Sequence, residues 1–199
     1  MSEEHYFTPR PGSAHRRRTF RADLRGRSWE FITDAGVFAA GGLDRGTRLL
    51  IEALTIPPGA ASLVDLGCGY GPVGLVMAAL APWAQVILVD PNERACGLAE
   101  ENARLNGLAN VTVIQGEGLA GVPGAPDLVA TNPPVRAGKK IVYALLGEAS
   151  QRLRQGGELW AVIRTSQGAR SLAAELARLF PRVHEVEKGG GFRVYRALR

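Results

Sequence analysis

From residue 62 onward the chain swings between short, mostly apolar runs and longer stretches in which apolar residues recur every three or four positions. Leu63 to Leu66, Val86 to Val89, Val111 to Ile114, Leu128 to Ala130 and Leu159 to Ile163 are too short for helices and read as strands buried on both faces. Between them the period changes. A helix starts at about Pro72. A second, near 92–106, places Ala95, Leu98, Ala99 and Ala103 on one face and stops at Gly107. Val142, Leu145, Leu146, Ala149 and Leu153 mark a third, closed by Gly156-Gly157, and Leu172, Leu176, Leu179 and Phe180 a fourth, ended by Pro181. The tail reads as strand, glycine turn and strand: Val183 to Val186, Gly189 to Gly191, Phe192 to Leu198. Such alternation predicts an α/β, doubly wound, mostly parallel sheet with a final antiparallel strand.

Upstream, residues 19–32 alternate about Arg25-Gly26-Arg27, which predicts a β-hairpin turning at Gly26. Glycines 36, 41 and 42 then lead to Asp44, an expected N-cap, and a helix carrying Leu49, Leu50, Ala53 and Leu54. Residues 1–34 are therefore expected to form a basic N-terminal extension, and 35–199 the main domain.

At 199 residues the chain suits one domain with a sizeable core, and 46% apolar with 22% charged residues excludes a disordered protein. The longest largely apolar run, Val73 to Ala84, is too short to span a bilayer, and Met1 to Tyr6 show no secretory pattern. Cys68 and Cys96 are the two cysteines and form no Cys-x-x-Cys pair, so neither a disulfide framework nor a zinc site is expected. A cytoplasmic, metal-independent protein is the expectation. The net charge is +5, and the first 30 residues hold seven arginines against four acids. Arginine favours phosphate through its planar fork, which would suit nucleic acid, although a general bias toward Arg, Ala and Gly accounts for the same count.

The densest local signal is Asp65-Leu66-Gly67-Cys68-Gly69-Tyr70-Gly71-Pro72-Val73-Gly74. Its glycines permit positive φ and close approach of a ligand to backbone N–H groups at a helix start, and Pro72 suits the first helical position. Asp90 ends the next strand, where a carboxylate can accept from both ribose hydroxyls. Gly69, Gly71 and Gly74 satisfy the dinucleotide fingerprint, so NAD and any adenosine-containing ligand both remain open. Asp65 suits a ligand with an amino group, such as the amino-acid end of S-adenosylmethionine. Gly67, Cys68 and Pro91 are grouped with this cofactor set, Cys68 and Tyr70 being expected to pack rather than react.

A second constellation, Thr131-Asn132-Pro133-Pro134, follows the fourth strand. Two prolines make a stiff loop rich in acceptors. The Asn132 oxygen and the Pro133 carbonyl can each accept one hydrogen of a planar amino group, stabilising the charge that develops on methyl transfer. Such a transfer needs no strong base beforehand, and none of His5, His15 and His184 lies near either motif in the sequence. Arg136, Lys139 and Lys140 follow directly and suit an RNA phosphate, the alternative being a solvated helix start. The Arg16-Arg17-Arg18 run is a weaker candidate of the same kind.

Together DLGCGYG and TNPP resemble class I S-adenosylmethionine-dependent methyltransferases of the small-domain group, which includes RsmC-type enzymes acting on guanine N2 of small-subunit ribosomal RNA. DAGVFAAGGLDRGTRLL and GGGFRVYRA are similar to that group as well, and NPPVRAGKK resembles its single-domain branch. The resemblance implies a Rossmann-like methyltransferase domain over 35–199. Gly67, Gly69 and Gly71 would line the cofactor, Asp90 bind its ribose, Glu117 lie near the adenine, and Asn132 with Pro133 and Pro134 hold the target amine. Val135 stands where amino-methylating relatives usually carry a stacking aromatic, which leaves Phe38 as the candidate for that contact. Ribosomal RNA or the small ribosomal subunit is the implied partner. A protein glutamine amide, acceptor of an N5-methyltransferase, is the alternative substrate, and a cofactor-binding RNA-docking module without turnover the alternative to an enzyme.

Overall fold

The structure, a computed structural model, describes residues 9–199; His5 and the opening of the N-terminal extension lie outside the described residues. A hairpin of β1 (Arg18–Leu24) and β2 (Arg27–Thr33) comes first, followed by α1 (Arg45–Ala53). β3 (Ser62–Leu66), α2 (Pro72–Leu80), β4 (Gln85–Asp90), α3 (Glu93–Leu105), β5 (Val111–Gln115) and β6 (Leu128–Thr131) alternate as the apolar pattern predicts. α4 (Lys139–Arg152), β7 (Glu158–Arg164), α5 (Ala169–Leu179), β8 (Arg182–Gly189) and β9 (Phe192–Leu198) complete the chain.

Seven strands form one sheet in the order β5-β4-β3-β6-β7-β9-β8. The first five are parallel, and the final strand, β9, is antiparallel and slots between β7 and β8. Parallel neighbours require crossover helices, which cover both faces. Strand alternation divides the core accordingly. Leu63, Leu88, Leu128 and Trp160 pack with α1, α2 and α3, whereas Val64, Val89, Val129 and Ala161 pack with α4 and α5. The chain runs outward from β3 through β4 to β5, then returns to the other side of β3 as β6. The carboxyl ends of β3 and β6 therefore diverge at the switch in strand order, where open α/β sheets bind ligands.

The hairpin turns through Arg25-Gly26, both at positive φ (53° and 74°), the two-residue turn whose twist matches its strands. It shares the main core rather than standing apart. Phe31 stacks on Trp29 at 5.9 Å and meets Tyr70 edge-on at 5.8 Å, so the hairpin backs the glycine-rich turn. Its outer edge is closed by two asparagines one helical turn apart. Asn102 accepts from Ile32 N–H (2.7 Å) and donates to the Ile32 and Tyr70 carbonyls (both 2.9 Å), and Asn106 does the same for Glu30. Among the described residues, no helix is long and apolar enough to cross a membrane.

Asn102 is wholly buried and Asn106 is not. Replacing Asn102 by Leu strands three backbone groups away from water, so the unfolding free energy should fall by at least about 2 kcal/mol. Asn106→Leu should cost less, because water reaches Glu30. Urea unfolding of both variants checks this; equal, small losses would contradict it.

Candidate active site

The turn after β3 folds back on the end of β4. Gly67 and Cys68 donate backbone N–H bonds to the Val89 carbonyl at 2.8 and 3.0 Å. Gly67, Gly69 and Gly71 all have positive φ, which explains their spacing. A Cβ at Gly67 or Gly69 would meet nothing within 4 Å, so both face open space. Gly71 and Gly74 serve packing instead: a Cβ there would meet the Leu88 side chain at 3.1 and 2.6 Å.

Gly71 is also the N-cap of α2 and has no side chain with which to cap it. Asp65 supplies the missing acceptor from β3, taking the Gly74 N–H at 2.7 Å. The carboxylate expected to meet a ligand amine thus has a structural partner. It lines a narrow crevice with Thr47, Cys68, Tyr70 and Asn132 rather than the main cleft. Burial pushes its pKa up to about 7, against the Gly74 hydrogen bond. The Cys68 thiol is buried against the Gly69 carbonyl, and burial raises its pKa too, so it packs.

The main cleft, of about 950 Å³ including its open mouth, lies between this turn, the ends of β4 and β5, and the Asn-Pro-Pro loop. Gly67, Gly69, Asp90, Pro91, Glu117, Phe38, Asn132 and Pro134 all line it. Asp90 accepts from Gly69 N–H (2.8 Å) and Asn92 N–H (2.9 Å), and burial raises its pKa to about 6 despite those bonds. Lone pairs remain on both oxygens for a hydroxyl donor. Val37, Leu66, Val89, Ala95, Ile141 and Leu145 give the cleft apolar walls, of which Ala95, Ile141 and Leu145 lie outside the motifs.

Asn132 is oriented by α1. Its amide nitrogen donates to the Asp44 carboxylate (3.3 Å) and to Thr47 Oγ1 (3.0 Å). A carboxylate only accepts, so the nitrogen faces α1 and the amide oxygen is left to the cleft. Asp44 meanwhile caps α1 by accepting from Thr47 N–H at 3.0 Å. The Pro133 carbonyl accepts the Val135 N–H at 2.8 Å in a tight turn about Pro134, which aims it while one lone pair stays free. Val135 turns away from the cleft, packs against the α4–α5 core and lines a separate groove with Lys139. Arg136, Lys139 and Lys140 are exposed and outside the cleft lining.

Phe38 borders both cavities from a loop over the site. That loop is tied down by Asn92 Nδ2 to the Gly36 carbonyl (2.8 Å) and by Arg94, which bonds the Ala35 carbonyl (2.6 Å) and the Ser13 carbonyl (2.8 Å). Asp34, beneath it, accepts from His15, Arg16 and Ala35. Arg17, from the basic run, is paired with Glu101.

Against family models, residues 28–196 match the methyltransferase small domain. The chain is 38% identical over 198 residues to protein YbxB of Bacillus subtilis, covering 98% of each chain. It is 38% identical over 172 residues to the ribosomal RNA large subunit methyltransferase G of Streptomyces avermitilis, covering 83% of this chain and 44% of that one. The solved structure of the T. thermophilus 16S rRNA N2 methyltransferase RsmC, in complex with AdoMet and guanosine, has a TM-score of 0.82 at 25% identity. That likeness covers 95% of this chain and 52% of the other. The chain spans about half the length of these two RNA-modifying relatives.

The Asp65 geometry makes stability depend on pH. An unfolded Asp ionises near its ordinary 3.8, whereas the buried one holds its proton to about 7. The fold binds more protons across that window, so this group's contribution is complete below it and is lost as pH rises through it. The stability of Asp65→Asn relative to the parent should therefore climb between these pH values and level off above them. Urea unfolding across that range tests this; a difference independent of pH would contradict it.

Proposed function

The chain belongs to the methyltransferase small domain family, whose cofactor is S-adenosylmethionine, and we propose that it transfers that cofactor's methyl group to guanine N2 of small-subunit ribosomal RNA. The observation that carries this reading is the Asn132 amide, turned by Asp44 so that its oxygen is the group left for an amine. The RNA acceptor is supported by the RNA-modifying relatives and by exposed Arg136, Lys139 and Lys140 beside the catalytic loop.

The residues present fit the cofactor. Gly67 and Gly69 leave open space beside the backbone, Asp90 has lone pairs for a ribose diol, and the apolar walls beside Pro91 and Glu117 suit an adenine. When bound, the cofactor supplies a sulfonium-activated methyl group. The chain's own residues then do two things. Asn132 Oδ1 and the second lone pair of the Pro133 carbonyl accept the two amine hydrogens and aim the nitrogen lone pair across the cleft. The same oxygens stabilise the amine as it becomes cationic, an electrostatic contribution already in place before reaction. Phe38, which borders the cleft from the loop above, is the side chain assigned to stacking on the base. Proton loss follows transfer, so no base is needed.

Asn132→Ala should lower methyl transfer by on the order of 10²–10³-fold. Calorimetry with S-adenosylhomocysteine should show near-normal affinity; retained turnover would remove Asn132 from this role. Tritium from labelled cofactor should enter small-subunit ribosomal RNA, and label confined to protein would favour a glutamine amide instead. Asp44→Ser keeps a capping oxygen for α1 but is too short to hold the amide. Its kcat should drop by about tenfold, the equivalent of one orienting hydrogen bond, with the melting temperature little changed. An unaltered kcat would contradict the orienting role of Asp44.

A further inference from the structure

Most ion pairs on this surface involve arginine: Arg17, Arg21, Arg154, Arg178, Arg193 and Arg196 each sit on a carboxylate. Around one groove the pattern reverses. This groove, of about 290 Å³ including its open mouth, opens one residue past Pro134, between the first turns of α4 and α5 and the end of β7. Val135, Val142, Ile163 and Leu172 give it an aliphatic floor, and the Lys139 ammonium meets the Ser171 hydroxyl at its rim, 3.4 Å apart. The two segments that form it, 132–147 and 159–174, contain Arg136, Lys139, Lys140, Arg164 and Arg170 and not one Asp or Glu. All five cations are exposed, and among the described residues none is in an ion pair.

Five like charges without a carboxylate partner, all carried on the two segments that form one groove, repel one another unless an anion joins them. Both helices also start here, at Gly138 and Gly168 without side-chain caps, so their dipoles add to the positive field. The opposite bank of the cleft carries Asp90 and Glu117. A base inserted at Asn132 leaves its sugar and phosphate at the mouth, and the acidic bank disfavours an exit on that side. The divider between cleft and groove is a single turn, Val135–Ala137, with Ala137 lining one and Val135 the other.

We propose that this groove carries the phosphodiester backbone of the single-stranded RNA flanking the target base, with Arg164 and Arg170 contacting phosphates beyond those reached by Arg136, Lys139 and Lys140. The proposal rests on the RNA reading of the site. Sugar and base edges lie on the aliphatic floor, and phosphates lie along the cationic rim.

The test is Arg164→Gln/Arg170→Gln, assayed by the anisotropy of a short fluorescent single-stranded RNA containing guanine, across a salt series. The parent should bind with a steep salt dependence. In the double variant the log–log slope should shrink by about 1.4, which is about 0.7 for each phosphate no longer neutralised. The KM for RNA should rise about tenfold at moderate salt, with S-adenosylhomocysteine affinity unchanged. Arg182→Gln, an exposed change level with Glu158 at the opposite end of the sheet, should leave the slope alone. An unchanged slope in the double variant, with RNA still methylated, overturns the groove assignment and keeps the enzymatic reading. Binding by the parent that does not respond to salt, or label entering an acidic protein in preference to RNA, overturns both.

Discussion

An amide can accept from an amine only while its nitrogen is turned elsewhere, and in this protein a carboxylate enforces that turn. A carboxylate only accepts, so with Asp44 as its neighbour the Asn132 side chain has one arrangement that satisfies both partners: nitrogen toward α1, oxygen toward the cleft. The same carboxylate caps α1, so one residue both starts the helix and sets the amide. α1 packs against β7 and β9, and Asn132 follows β6, so the arrangement is anchored in the sheet rather than in mobile loops.

The bank that bears the glycine-rich turn depends on buried carboxylates in a comparable way. Asp65 caps a helix whose own cap is glycine, and Asp90 holds Gly69 and Asn92 by their N–H groups. Asn92 in turn caps α3 and donates to the Gly36 carbonyl of the loop bearing Phe38. Hydrogen bonds therefore run from the acid assigned to the ribose to the loop that carries the aromatic assigned to the base. Arg94 extends this path to Ser13, which ties the N-terminal extension to the roof of the site.

Much of this was legible along the chain because it is local. The β/α alternation, the hairpin turn at Gly26, the Asp44 cap and the two motifs after β3 and β6 each lie within a few neighbouring residues. What stayed hidden joins residues far apart in sequence. Asn132 lies 88 residues from Asp44, and Asn102 lies 70 from Ile32. Neither pair has a periodicity to announce it. Val135 illustrates another limit: it stands where relatives carry a stacking aromatic, which suggested a place in the cleft, but one turn of 3₁₀ helix rotates it onto the far side. Gly71 fitted a phosphate-binding fingerprint, yet its lack of a side chain serves contact with Leu88.

The proposed chemistry centres on an amine gripped between two oxygens whose directions are set before any ligand arrives. A crystal structure of the protein with S-adenosylhomocysteine and guanosine addresses it most directly. The guanine N2 should lie within hydrogen-bond distance of Asn132 Oδ1 and the Pro133 carbonyl, with Asn132 Nδ2 still on Asp44. Guanosine seated elsewhere, or an Asn132 amide reversed so that its nitrogen faces the base, would contradict it.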